Sequence, residues 1–389
     1  MFNGNILCAK ETEKMEEADK LKILVTGSNG FIAKNLIVEL RNKGYENLLL
    51  CNRDTTPEKL EQYIEECDVL IHLAGVNRPS SEEEYYIENV GFTKKIVRLL
   101  KNNHKRICIL FSSTIHTGRH KCYEESKRQG EKILQDYAKE SGSSLFIFRL
   151  PNVFGKWCRP NYNSVVATFC YNISHGLDIK VNDPDVQMNL VYIDDVVNEF
   201  LSVIVLEVEE IVKYVEISHA YQITVGEVAQ AIISFGQKHK RLEVPQVGNS
   251  LIKKLYSTYL SYVEPENYRY ELKMNIDARG SFTEFLHSQD FGQVSVNIAK
   301  PGIIKGNHWH HTKVEKFLVV KGIASIKFRH MITGKMVEYI VSDRKLEVVD
   351  IPVGYTHNIT NIGIEDLVTI MWANETFDRD RPDTYYEEV

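Results

Sequence analysis

The 389-residue sequence predicts two domains, an α/β domain built on a parallel sheet and an all-β barrel that follows it. Three observations carry this. A glycine turn joins the first apolar strand to the first amphipathic helix. Apolar runs then alternate with helical stretches as far as about residue 245. From about residue 275, short apolar runs follow one another with turns, and no helical pattern, between them.

The first strand, turn and helix are "LKILVTGSNGFIAKNLIVELRNKG", residues 21–44, with Gly44 placed to close the helix. "NLLLCNRD", "CDVLIHLAG", "RICILFSST" and "SLFIFRLP" supply the next strands, with helical stretches between them. Such alternation builds a parallel, Rossmann-type sheet covered by helices on both faces. The turn reads Gly27-x-x-Gly30-x-x-Ala33. Glycines there let the backbone approach a pyrophosphate, which the helix N-terminus then favours, and Ala is an accepted third residue. Its place between a first strand and a first helix points to a dinucleotide. Arg53 ends the second strand, where NAD-binding chains place an acid for the ribose diol. An arginine suits a 2′-phosphate and so NADP, with Asp54 beside it as a competing signal.

Further along, "FSSTIHTGRHKCYEESKRQGEKIL" places Tyr123 and Lys127 four residues apart, on one helix face. A phenol with a reference pKa of about 10 exchanges protons poorly at neutral pH, and a nearby ammonium favours the phenolate. The hydroxyls of Ser113 and Thr114 stand at the end of the preceding strand, in place to meet a substrate carbonyl. Y-x-x-x-K alone is a weak signal, and on a surface helix it is most often only a solvated face.

Its company changes that reading. With the glycine turn, "HLAGVNRP", Asn89, the Ser-Ser-Thr strand end and "RLPNVFG" in consistent order, residues 21–245 resemble the extended short-chain dehydrogenase/reductase family. The resemblance implies Tyr123 as proton donor, and Lys127 as a ribose ligand that also tunes Tyr123. Thr114 is implied as the hydroxyl partner, with Ser113 as the fallback. It further implies Gly27, Gly30 and Phe31 at the pyrophosphate, Ala74 and Gly75 beside the cofactor, and Asn152 near a sugar nucleotide.

Residues 246–274 read as a linker with a short helix, and 275–389 as the barrel. In "GNHWHHTKVEKFLVV", strand alternation puts His308 and His310 on one side and Trp309 and His311 on the other. Glu315 lies past a turn, and "IPVGYTHNITN" supplies His357. Three imidazoles and a carboxylate suit a divalent transition metal with one position open, zinc being the first choice. The spacing from Gly302 to Gly322, and from Pro352 to Asn361, resembles both sequence boxes of the cupin (jelly-roll) family, except that Leu346 replaces the glycine that usually opens the second box. That resemblance implies His308, His310, Glu315 and His357 as metal ligands. "DARGSFTEF", residues 277–285, is similar to a segment of deoxysugar-nucleotide 3- and 3,5-epimerases. The proton-abstracting base stays open among His287, His311, Lys313, Tyr355 and metal-bound water.

From residue 21 onward, including "FGKWCRPNYNSVVATFCYNI" and "LYSTYLSYV", the chain resembles bifunctional capsular-polysaccharide enzymes. These join a UDP-sugar 3-epimerase to a 4-ketoreductase and make UDP-2-acetamido-2,6-dideoxy-L-talose. The resemblance implies NADPH, a UDP-4-keto-6-deoxy-N-acetylhexosamine substrate and a homodimer. Two other readings are a single-activity reductase with a structural barrel and a non-enzymatic NADPH-sensing module. The intact Thr114, Tyr123 and Lys127 weigh against the second.

The remaining composition fits an enzyme of this kind. Hydrophobic residues at 43% and charged residues at 26% are ordinary globular values, and a net charge of −6 gives no general attraction to nucleic acid or anionic membrane. No apolar run approaches the roughly 20 residues that span a bilayer. Seven scattered cysteines without a C-x-x-C pair argue for a reducing cytoplasm. The polar residues 1–20 lack the basic start and apolar stretch of a secretory signal and read as a flexible leader.

Overall fold

A computed structural model of the protein describes residues 20–115, 121–204, 210–288 and 290–389. The expected leader, but for Lys20, lies outside them. Two units divide the chain: Met1–Ile232 with Lys254–Val263, and Ile233–Lys253 with Glu264–Val389. The stretch read as a linker is shared between them and holds the helix Ser250–Leu260.

In the first unit, strands β1 (Ile23–Thr26), β2 (Leu48–Cys51), β3 (Val69–His72), β4 (Cys108–Thr114) and β5 (Ser144–Leu150) are all parallel. Two further strands, β6 (Asn152–Phe154) and β7 (Gln187–Tyr192), precede β8 (Val212–Val215), which completes a six-stranded sheet ordered β2-β1-β3-β4-β5-β8. A separate small sheet joins β6, β7 and β9 (Ala220–Thr224). Both faces of the main sheet are covered, which is why β1 and β3 are buried at every position. Successive residues feed opposite cores. Ile23 and Val25 pack with Ile71, Phe146, Phe148 and Phe200, while Leu24 packs with Leu60, Leu70, Ile96 and Ile109.

Helix α1 (Phe31–Asn42) starts directly after the glycine turn, and its chain ends at Gly44 with φ +86°. Helix α2 (Pro57–Glu66) is capped by Thr56, whose hydroxyl accepts from Lys59 N–H. Helix α3 (Phe92–Asn102) follows a π-helical stretch at Tyr85–Gly91. Helix α4 (Lys121–Ser141) carries Tyr123 and Lys127. A side chain at its Gly130 would stand 3.0 Å from the Phe111 ring of β4, so the absent Cβ lets this helix lie close to the sheet. The sheet order reverses between β1 and β3, and the crevice beyond the carboxyl ends of those strands is where such sheets bind ligands.

The second unit contains β10 (Asn275–Asp277), β11 (Gly280–Ser288), β12 (Gly292–Ala299), β13 (Ile304–Trp309), β14 (Glu315–Lys321), β15 (Ile323–His330), β16 (Met336–Ser342), β17 (Val348–Ile351), β18 (Tyr355–Asn361), β19 (Leu367–Ala373) and β20 (Tyr385–Tyr386). They form two antiparallel sheets, ordered β10-β11-β12-β19-β14-β17 and β16-β15-β18-β13-β20. This is the expected jelly-roll barrel. Phe317, Val319, Ile326, Phe328, Ile351 and Ile359 are among the residues of its apolar core. On β12, Gln293, Ser295 and Asn297 are all buried, a polar row unusual for a barrel that only packs.

Candidate active site and metal centre

The glycine turn of the first unit is shaped as a close-approach loop. Gly27 has φ +69°, and a Cβ there would lie 2.8 Å from the Ala74 backbone. Only glycine fits both constraints. Gly30 N–H donates to Gly27 O at 2.8 Å, and Phe31 begins α1. Ser28 N–H donates to Cys51 O at 3.1 Å, which ties the turn to the end of β2, and exposed Arg53 follows two residues later. Ala74 and Gly75 leave the end of β3, where Ala74 N–H donates to Thr26 Oγ1 at 3.2 Å. This cradle fits a dinucleotide pyrophosphate.

Buried His72 sits between two hydroxyls, Thr26 Oγ1 at 2.8 Å and Thr93 Oγ1 at 3.0 Å. Burial, aided by the Lys127 charge, holds its pKa down to about 3, so the ring is neutral. Asn89 holds the loop after β3 by accepting from Val76 N–H at 2.8 Å, and its amide donates to Ser126 Oγ on α4 at 2.9 Å. The sequence had singled out Asn89 by order alone; here it couples the loop after β3 to the Tyr123 helix.

Lys127 is buried and donates to Ser112 O at 3.0 Å. Burial brings its pKa down to about 8, against an upward pull from Glu131. A Cβ on Gly75 would come within 3.2 Å of Lys127 Nζ. Tyr123 lies beside Tyr85, ring centroids 5.8 Å apart. Desolvation, then Tyr85 and Tyr162, push its pKa up to about 12. This differs from the expectation that Lys127 would draw the phenol toward ionisation. Enclosure by aromatic neighbours dominates, and the ammonium is turned to a backbone carbonyl. Thr114 is half-buried at the end of β4, whereas Ser113 is buried. Asn152, on β6, donates to Asn189 O at 3.4 Å.

In the barrel, β13 and β18 pair so that His308 stands opposite His357, and a bulge between Gly306 and His308 re-aims the strand end. Glu315 opens β14. The ligand atoms of His308, His310, Glu315 and His357 all lie within 4.8 Å of one another. Ring centroids are 4.9 Å apart for His308 and His310, and 4.6 Å for His308 and His357. Trp309 and His311 meet each other instead, at 4.5 Å, as strand alternation predicts.

The donor chemistry fits a metal ion. His310 Nδ1 donates to Asp383 O at 2.5 Å, so its Nε2 faces Glu315 Oε2, 3.5 Å away, as a bare lone pair. His357 Nε2 lies 3.3 Å from the same oxygen, and both Nε2 atoms are buried without a hydrogen-bond partner. Acceptors converging in this way ask for a cation between them. Burial, then His357, hold the pKa of His308 down to about 4, which keeps its lone pair available.

This cluster opens on a cavity of about 660 Å³, lined by His308, Glu315 and His357 and also by Asp277, Arg279, Asn297 and Lys305. Lys305 Nζ donates to Asn297 Oδ1 at 2.7 Å, Ile298 O at 2.8 Å and Ser281 O at 3.3 Å. Arg279 is held by Asp277 through Nε at 3.0 Å and Nη2 at 2.7 Å. Asp277 and Arg279 belong to "DARGSFTEF", so the sequence marked that segment without giving these residues a place. Lys305 lies three residues before His308 and falls outside the ligand spacing. None of the side chains weighed as the base lines the cavity. His287 pairs with Glu284, His311 meets Trp309 and Tyr385, Lys313 is tied to Asp383 O and Thr384, and Tyr355 packs on Phe328 and His330.

Comparison with known proteins gives a consistent picture. Residues 23–214 match the NAD dependent epimerase/dehydratase family, and residues 275–385 match the polysaccharide biosynthesis C-terminal domain. The chain is 43% identical over 365 residues to the UDP-2-acetamido-2,6-beta-L-arabino-hexul-4-ose reductase of Pseudomonas aeruginosa, covering 94% of this chain and 98% of that one. It is similar in structure to the capsular polysaccharide assembling protein CapF of Staphylococcus aureus, with TM-score 0.87 and 47% identity over 95% of this chain and all of that one. The Bordetella bronchiseptica enzyme WbmF, solved in complex with NAD+, shares the fold at TM-score 0.52 and 17% identity, over 62% of this chain and 92% of its own.

Proposed function

The chain belongs to the CapF-like family of UDP-sugar ketoreductases, and from that premise we propose that it performs two consecutive steps on one nucleotide sugar. The barrel epimerises C3 of a UDP-2-acetamido-2,6-dideoxy-4-hexulose. The parallel-sheet unit then reduces the C4 ketone with NADPH, giving UDP-2-acetamido-2,6-dideoxy-L-talose. The observation that carries this reading is that one chain holds two chemically distinct sites. One is a Tyr123–Lys127 pair beside a dinucleotide cradle, and the other is a His/Glu cluster opening on a cavity.

The barrel reaction exploits an acidity already present in the substrate. A C4 ketone acidifies the hydrogen on C3, because the carbanion delocalises onto the carbonyl oxygen. Removing that proton and returning it to the opposite face inverts the centre. His308, His310, Glu315 and His357 would hold a divalent metal, zinc by donor set, which supplies Lewis-acid charge when bound. Arg279 and Lys305 set two cations against Asp277 elsewhere in the cavity, which suits an anionic nucleotide sugar.

For the reduction, Gly27, Gly30, Phe31, Ala74 and Gly75 would cradle NADPH, Arg53 would meet its 2′-phosphate and Lys127 its ribose. NADPH supplies the hydride when bound. Tyr123 supplies the proton. With its pKa raised to about 12 it is a neutral phenol at physiological pH, which is the form a reduction requires at the nascent C4 alkoxide. Thr114 orients the carbonyl from the end of β4, and Asn152 holds the nucleotide sugar. Reduction removes the ketone and so fixes the new C3 configuration.

The test is incubation with the UDP-2-acetamido-2,6-dideoxy-4-hexulose of L-arabino configuration, followed by product stereochemistry. The expected product is the L-talo sugar, formed with NADPH in preference to NADH. A reduced product that keeps the C3 configuration of the substrate would remove the epimerase step, and absence of cofactor oxidation would remove the reductase step.

A further inference from the structure

The chain beyond β19 returns to the strand that bears the metal-ligand histidines. There β20 pairs antiparallel with His308 and Trp309. Two residues before it, Asp383 makes two kinds of contact. Its carboxylate accepts from the backbone N–H groups of His311 at 2.9 Å, Thr312 at 2.7 Å and Lys313 at 2.8 Å, and from the Thr312 hydroxyl at 3.0 Å. Its main-chain carbonyl accepts from His310 Nδ1 at 2.5 Å. Further on, Glu387 N–H donates to Asn307 O at 3.0 Å, and the Glu387 carboxylate pairs with Arg329 at 2.9 Å.

Three successive N–H groups converging on one carboxylate make a nest, so the loop after His310 is shaped around Asp383. The same residue thereby brings its carbonyl to His310. An imidazole with its Nδ1 proton committed to a fixed acceptor exists as one tautomer in one orientation, with the Nε2 lone pair aimed at the cluster. Without that acceptor the proton is free to move to Nε2, where it competes with a metal, and the ring is free to turn.

We propose that Asp383 is a positioning residue of the metal centre: the C-terminal strap holds His310 as an Nε2 ligand and so sets the affinity of the site. This rests on the metal-centre reading of the barrel. It goes beyond the four ligands, because the strap arrives from some seventy residues downstream of His310 and enters neither ligand spacing.

The experiment measures zinc affinity of the full chain by competition with a chromophoric chelator, for the wild type and for His310→Ala, Asp383→Ala and Asp383→Asn. Asp383→Ala is expected to weaken zinc binding about 10–100-fold, the range for partners of metal ligands. Asp383→Asn, which keeps one side-chain acceptor for the nest, shifts affinity the same way by less. The visible absorption of the cobalt-loaded protein shifts in the same order, a readout that a purely structural role would not move. If the wild type takes up no metal, or His310→Ala binds as tightly as the wild type, the metal-centre reading itself fails. If those two behave as expected while both Asp383 variants keep wild-type affinity and spectrum, the role of Asp383 alone is overturned. Should circular dichroism show that Asp383→Ala does not fold, Asp383→Asn decides, and unchanged affinity there overturns the proposal.

Discussion

Lys127 shows how one side chain joins the sequence pattern to the chemistry. Its spacing from Tyr123 was legible, because i and i+4 share a helix face whatever surrounds them. Its hydrogen-bond partner was not, since Ser112 O is a backbone atom that no residue letter announces. The pair therefore differs from a simple expectation of an ammonium lowering a phenol. Burial lowers Lys127 from 10.5 to about 8 and raises Tyr123 to about 12. The charge on Lys127 is thus present below pH 8 and lost above it, while Tyr123 keeps its proton throughout that window. Reduction is expected to be flat through neutrality and to fall as pH rises past 8, approaching about tenfold per unit. Initial rates of NADPH oxidation at saturating substrate check this. A profile that climbs through pH 9 would mean that Lys127 does not act as the charged form.

At the residue scale the His/Glu cluster was equally legible, because His308, His310, Glu315 and His357, the candidate metal ligands, carry the spacing themselves. Asp383 was not. Its carboxylate finds three N–H groups only once the tail has folded back, and an acid in a polar C-terminal stretch reads as a solvated charge.

Among the elements, those with long periodic patterns were plain in the sequence. The strands of the parallel sheet are apolar at consecutive positions because both faces are covered. The two-residue β20 carries too little pattern to be seen, and β10, which meets the flagged segment only at Asp277, is three exposed residues. The π-helical stretch at Tyr85–Gly91 was also hidden, since its hydrogen-bond offset leaves no mark in apolar spacing. The turn between β1 and α1 was legible because its glycines answer a geometric need. Gly27→Ala combines a positive φ with a 2.8 Å clash against Ala74. It is expected to cost about 1–3 kcal/mol of stability and to weaken NADPH binding. Thermal melts with fluorescence titration of the cofactor measure both, and a variant with wild-type values in each would show that the turn yields more than its geometry suggests.

For the whole molecule, the division into a parallel-sheet unit and a jelly roll followed from where helical spacing stops. The residues that line the barrel cavity did not follow, because Asp277, Arg279, Asn297 and Lys305 come from β10, the β10–β11 turn, β12 and β13 and meet only through sheet register. On the proposed function the two units supply complementary chemistry: one would make C3 exchangeable while C4 is a ketone, and the other would end that exchange by reducing the ketone.

Separating the two steps tests this account most directly. Tyr123→Phe lacks the proposed proton donor for reduction but leaves the barrel's residues untouched. The measurement is proton NMR of the UDP-4-keto sugar in heavy water with NADPH and the zinc-loaded variant. The account predicts that deuterium accumulates at C3 while NADPH oxidation falls by at least about a hundredfold. A C3 position that keeps its protium, or NADPH consumed at the wild-type rate, would contradict it.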